Sequence, residues 1–362
     1  MEKDLKIKYT KIKHVFMITD IFVTLGLFAS ILFFNLTHLF RDFSLTITNN
    51  FYLSVLIYTV VLSLFLYLFS LPLDFLSGYI IEHKFNLSNQ TLFGWIKDNI
   101  KKSLISFVII IPMIQLMYFF LRNFQNSWWL CISLIWIVIT IILGKIFPVI
   151  IVPLFYKYKE INNDELKQRI FDLAKKANVK VKDIFEIDFS RDTKKANAAV
   201  IGLGKTRRII LADTLLESFT IDEIEAVIAH EMGHYKKKHI VKLLIFGAIT
   251  TIVGFYLCSI VFSKTLMYFN INSIFDIAGL PLIGLFLFLF TLILMPIQNM
   301  YSRKLEYEAD KFSLDNINNK QSFVSTMQKL ADMNLSDENP NKIIEFLFYS
   351  HPSISKRIKA VK

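Results

Sequence analysis

Six stretches of this chain are apolar over about the length of a membrane helix: 15–36, 51–75, 103–122, 128–155, 241–263 and 276–300. A helix needs about 20 apolar residues to cross a bilayer core. This spacing predicts a mainly α, polytopic membrane protein of about six transmembrane helices. The fourth stretch holds Lys145, Pro148 and Pro153, which predict a kink or an early end. The composition agrees, with 54% hydrophobic residues and 35 Phe against 11 Gly. The basic start, MEKDLKIKYTKIK, is followed by an apolar run without a small-residue cleavage site, and reads as a retained anchor. Cys131 and Cys258 both lie in apolar runs, so neither a disulfide framework nor a cysteine metal site follows.

The charge has a pattern. The net charge of +11 would suggest nucleic acid in a soluble protein. Here it follows the flanks of the spans, and no nucleic-acid partner is expected. The first 13 residues hold five lysines; loop 37–50 holds only Arg41; loop 76–102 holds Lys84, Lys97, Lys101 and Lys102. The third loop is nearly bare after Arg122, the region after the fourth span is rich in Lys and Arg, and loop 264–275 has only Lys264. By the positive-inside rule, both termini and the polar regions are expected in the cytoplasm. The divisions are 1–155 (four spans), 156–240 (polar), 241–300 (two spans) and 301–362 (polar tail).

The polar region 156–240 reads as α/β. Leu166, Ile170, Leu173 and Ala177 recur at helical spacing. IFEIDFS (184–190) alternates as a strand does, and NAAVIG (197–202) with RRIILAD (207–213) reads as a hairpin across a Gly-Leu-Gly-Lys turn. Thr220 and Glu223 match a capping box. The helix they start carries HEMGH, and is expected to run straight into the fifth span.

HEMGH is His230-Glu231-Met232-Gly233-His234. Residues four apart share a helix face, so both imidazoles can reach one metal. Glu231 is placed to act as base for a water beside it. Two histidines leave a catalytic zinc one protein ligand short. LEYEAD (305–310) offers Glu306, with Asp310 four residues on to hold a ring N–H of a ligand histidine. Glu308 faces the other way. A solvated acidic helix end is the alternative reading of this stretch. His239 reads as an interfacial residue, and His351, far along the tail, as a surface histidine.

Six blocks, in order, resemble the CAAX prenyl protease 1 family of integral-membrane zinc metalloproteases. They are YIIEHKFNLSNQTLFGWIKDNIKK (79–102), IVPLFYKYKEI (151–161), NAAVIGLGKTRRIILADTLLE (197–217), HEMGHYKKKH, SRKLEYEAD (302–310) and YSHPSISKRIKAV (349–361). The resemblance implies a gluzincin-like zinc site in the polar regions. One Zn2+ per chain would be bound by His230, His234 and Glu306, with Glu231 as base. Asp310 would support a ligand or donate a proton, and His351 and Arg357 would stabilise the oxyanion. Asn197 and Ala198 would pair with substrate. The small Ala198 and Ala199 would let an extended peptide add to the strand edge. The family's eukaryotic members have seven spans and an acidic insertion before HExxH. This chain has six, four of them before the motif, and lacks the insertion.

These readings make the chain a membrane zinc endopeptidase acting on peptide or protein substrates, prenylated or membrane-bound. Its Lys/Asn/Ile-rich composition points to a bacterial source, so a multi-pass plasma-membrane protein with termini and active site in the cytoplasm is expected. Two alternatives are a heat-shock type quality-control protease of the same clan and a non-hydrolytic zinc-binding scaffold or transporter. Glu231 speaks against the last, because a purely structural site needs no base.

Overall fold

The computed structural model describes residues 2–179, 184–202 and 208–361. Six helices are long and apolar enough to cross a membrane: Lys3–Phe33, Phe51–Lys84, Leu92–Asn123, Trp128–Phe155, His239–Phe269 and Ile277–Asn316. Their main α-helical parts are α1 (Glu2–Phe33), α3 (Phe51–Phe75), α4 (Leu92–Asn123), α5 (Trp128–Ile146), α8 (His239–Thr265) and α9 (Leu280–Asn316). A twelve-residue helix, α2 (Leu36–Ile47), joins the first two spans. The fourth span neither stops nor breaks at its prolines. It relaxes into a π-turn at Phe147–Ile151 and continues to Phe155. A π-turn accommodates Pro148, which lacks the N–H of a regular helix. The helices extend beyond the apolar stretches. The largest extension is α9, whose 37 residues run out of the sixth span and on to Asn316.

The spans pack around an apolar core of Tyr58, Tyr118, Leu121, Ile132, Cys258 and Phe262, among others. A second core lies in the polar region. There α6 (Asp164–Lys176) starts at Asn163, whose side chain accepts from the Leu166 N–H, and buries Leu166, Ile170 and Leu173. The strands are β1 (Tyr158–Glu160), β2 (Ile184–Ile187), β3 (Ala198–Ile201) and β4 (Arg208–Ala212). Their order is β1-β2-β4-β3, with β2 parallel to β4 and the other pairs antiparallel. β3 pairs with β4 as a hairpin would, Ala198 opposite Leu211. The Gly-Leu-Gly-Lys turn itself lies largely outside the described residues. β4 is buried from Ile209 to Ala212, and β3 is an edge strand.

Against this sheet packs α7 (Ile221–Lys236), begun by the full capping box of Thr220 and Glu223. It does not run into the fifth span. Lys238 takes a left-handed backbone (φ 56°), and α8 starts afresh at His239. The tail folds back over this unit. Helix α10 (Lys320–Met333) buries Phe323, Met327 and Ala331, and α11 (Ile354–Lys359) buries Arg357. The second core therefore joins residues from either side of the last two spans.

Candidate metal centre

Two helices build the site. α7 supplies His230, Glu231 and His234; α9 supplies Glu306 and Asp310. They approach closely because Gly233 has no side chain. A Cβ there would lie 3.0 Å from Ala309 Cα and 3.1 Å from its carbonyl oxygen. Ser313 ties the pair together by donating to the Ala226 carbonyl at 2.9 Å.

The Nε2 atoms of His230 and His234 are 3.1 Å apart. Each is 3.3 Å from a carboxylate oxygen of Glu306. One atom from each of the three residues lies within 4.8 Å of the others. Glu306 Oε2 is buried without a hydrogen-bond partner among the described residues. His351 Nδ1 lies 2.9 Å from that oxygen, but not in hydrogen-bonding geometry. A buried carboxylate with an imidazole nitrogen beside each oxygen suits a cation, and the N,N,O donor set suits zinc.

Each histidine is held from behind. His230 Nδ1 is 2.8 Å from Asp310 Oδ1. Arg357 grips the same carboxylate with both arms, Nε on Oδ2 at 2.8 Å and Nη2 on Oδ1 at 2.5 Å. Burial alone would lower the His230 pKa, but Asp310 and Glu306 outweigh it and raise it to about 9. Arg357 is likewise raised, since Asp310 outweighs burial. His234 Nδ1 is 2.9 Å from Nδ1 of His239, whose Nε2 is 3.1 Å from Glu308 Oε2. Lys242 donates to the same oxygen at 2.9 Å.

Sequence reasoning missed that second chain. His239 is not an interfacial histidine: it is 1% exposed and lies against His234. Glu308 does face away from Glu306, yet it is the acceptor that fixes His239. The missed signal is the break at Lys238. A continuous helix would send residue 239 to another face, and the left-handed lysine turns it back. Arg357 also sits differently from expectation. It is 8% exposed and lies behind Asp310, while the His351 side chain is 62% exposed and beside Glu306.

Glu231 points toward the sheet. Its Oε2 accepts from the Val200 N–H at 3.2 Å, so edge strand β3 runs beside the carboxylate. Ala198 and Ala199 lie on that strand, and Asn197, just before it, is exposed.

The model of peptidase family M48 matches residues 160–362, which include the whole site. The chain belongs to peptidase family M48. A second model, the CAAX prenyl protease N-terminal region with five membrane helices, matches residues 4–157. In that region this M48 chain has four helices of spanning length plus the short α2. The chain is 33% identical over 306 residues to an uncharacterized metalloprotease, YhfN, of Bacillus subtilis, covering 83% of this chain and 72% of the relative. It is 32% identical over 318 residues to CAAX prenyl protease 1 of Saccharomyces cerevisiae, covering 81% and 69%. The crystal structure of S. mikatae Ste24p superposes with a TM-score of 0.90 at 27% identity, covering 100% of this chain and 89% of that one. The chain is thus a multi-pass membrane metallopeptidase of a zinc-dependent family.

Proposed function

We propose that this chain hydrolyses peptides with one zinc held by His230, His234 and Glu306. The observation that carries the ligand set is the buried Glu306 carboxylate, with Oε2 3.3 Å from His230 Nε2 and Oε1 3.3 Å from His234 Nε2. Zinc, when bound, supplies a Lewis acid for the scissile carbonyl and makes a nearby water more acidic. Glu231 takes the proton of the attacking water and returns it to the leaving amine. The Val200 N–H steadies one oxygen of Glu231 and leaves the other for that proton. Asp310 fixes the ring orientation of His230, and Arg357 fixes Asp310. His351, exposed and beside Glu306, donates to the developing oxyanion. Substrate is held as an added strand on β3, at Ala198, with Asn197 and Ala199 alongside. The substrate class is a membrane-proximal peptide, prenylated as the name of the yeast relative suggests. The lysine-rich loops support a plasma-membrane protein with its site in the cytoplasm.

Purified protein in detergent tests this with farnesylated and unmodified forms of one peptide, with and without chelator. Cleavage should need the metal and favour the farnesylated form. Glu231→Gln should keep zinc and lose roughly 10²- to 10⁴-fold in kcat. Residual turnover above about a tenth of wild type would mean another base acts. Equal cleavage of both peptides would remove the prenyl preference and leave the hydrolysis.

A further inference from the structure

The protein's own groups take part of the open edge at β3 and just before it. Main-chain groups of successive strand residues point alternately to the two sides. Asn197 C=O accepts from the Ala212 N–H at 3.0 Å, so 197, 199 and 201 face β4. Residues 196, 198 and 200 then face the open edge. At 200, the N–H goes to Glu231. At 196, both main-chain groups go to one side chain: Asn334 Oδ1 accepts from the Ala196 N–H at 3.1 Å, and its Nδ2 donates to the Ala196 C=O at 3.4 Å. This is the bonding an incoming strand would offer, made by an amide side chain instead. Ala198 has no partner on that edge among the described residues.

Asn334 is itself held in place. It ends α10, and Leu335 after it takes a left-handed backbone (φ 47°), a position where glycine is usual. The strain is retained because the Leu335 side chain packs with Tyr9, Phe85 and Leu87. Thr10 of α1 donates to the Leu335 carbonyl and accepts from the Asp337 N–H, at 3.3 and 3.2 Å. The first membrane helix thus braces the turn that presents Asn334.

We propose that Asn334 closes the substrate slot at Ala198, so a bound peptide gains no main-chain pairing beyond that residue on the Ala196 side. This positioning role rests on the reading that substrate adds to β3, and fixes how far the added strand can extend. Peptide that continues past Ala198 must leave the sheet.

A quenched fluorescent peptide cleaved at one bond, N-methylated one residue at a time, tests this in zinc-loaded full-length protein. N-methylation deletes one donor and costs roughly tenfold where that donor is used. In the wild type, one side of the scissile bond should show a single sensitive residue, the one opposite Ala198. In Asn334→Ala, a second should appear two residues further out. Loss of stability alone would not create that pattern. Two or more sensitive residues on both sides in the wild type, or an unchanged profile in Asn334→Ala, would overturn the proposal. If Asn334→Ala fails to fold, the wild-type scan still decides. Ala198→Pro separates the two failures. A crippled Ala198→Pro with an unchanged Asn334→Ala profile removes only the role of Asn334. Wild-type cleavage by Ala198→Pro removes strand addition itself.

Discussion

His230 is tuned by two carboxylates at once, Asp310 on Nδ1 and Glu306 on Nε2. Without metal, they hold its pKa up at about 9, against the lowering effect of burial. The value lies above the ordinary 6.5, so the metal-free fold gains this stabilisation fully below that pH. It loses it as pH rises through about 9. Zinc needs the neutral ring, so a proton must leave on binding. Apparent zinc affinity should therefore rise about tenfold per pH unit between pH 6.5 and 8.5, measured by competition with a chelator of known pH dependence. A flat profile would mean that His230 is neutral in the empty site. His234 has a different support. If Glu308 accepts from Nε2–H of His239, then Nδ1 of His239 accepts from Nδ1–H of His234, and the Nε2 lone pair of His234 faces Glu306. His239→Ala should weaken zinc binding roughly 10- to 100-fold. His239→Gln, which can still accept from His234, should recover part of that loss. Unchanged affinity in His239→Ala would reduce the contact to simple packing.

Between elements, the decisive contact is α7 against α9 at Gly233. A methyl group there meets the backbone of Ala309, which cannot swing aside as a side chain would. Gly233→Ala should destabilise by about 1–3 kcal/mol through overpacking. It should also lower zinc content, because the helices that share the metal are forced apart. Normal zinc occupancy with unchanged thermal stability would show that the interface yields. Much of this geometry was legible in the sequence. The capping box announced α7, the four-residue spacing put both histidines on one face, and Glu306 with Asp310 shared another. What stayed hidden depended on backbone that its residues do not advertise. Lys238 and Leu335 adopt left-handed conformations without glycine or asparagine to mark them. One turns His239 onto the site, and the other presents Asn334. β1 has only three residues, too few for a periodic signal.

For the whole molecule, six long helices return the chain to the side on which it began. The ends meet there: Lys6 of α1 pairs with Asp332 and, at 2.9 Å, with Glu338 of the tail. The apolar spans and the lysine-poor loops were visible in the sequence. The brace between termini was not, because it joins residues more than 300 positions apart and no local pattern encodes it. The structure thus puts the termini and the metal-site tail on one face, which the proposal from the charge pattern puts in the cytoplasm. Cysteine labelling tests the assignment in a Cys131→Ser, Cys258→Ser background. Tyr268, 84% exposed in the last turn of the fifth spanning helix, lies at the opposite end. Asn339, exposed in the tail, lies beside the braced termini. In intact cells, Tyr268→Cys should react with a membrane-impermeant maleimide and Asn339→Cys should not. Permeabilising the membrane should expose Asn339→Cys. The reverse pattern would place the site outside the cell and overturn the charge argument, leaving the shared face of the two termini intact. Labelling of both residues from outside would break the even count of spans as well.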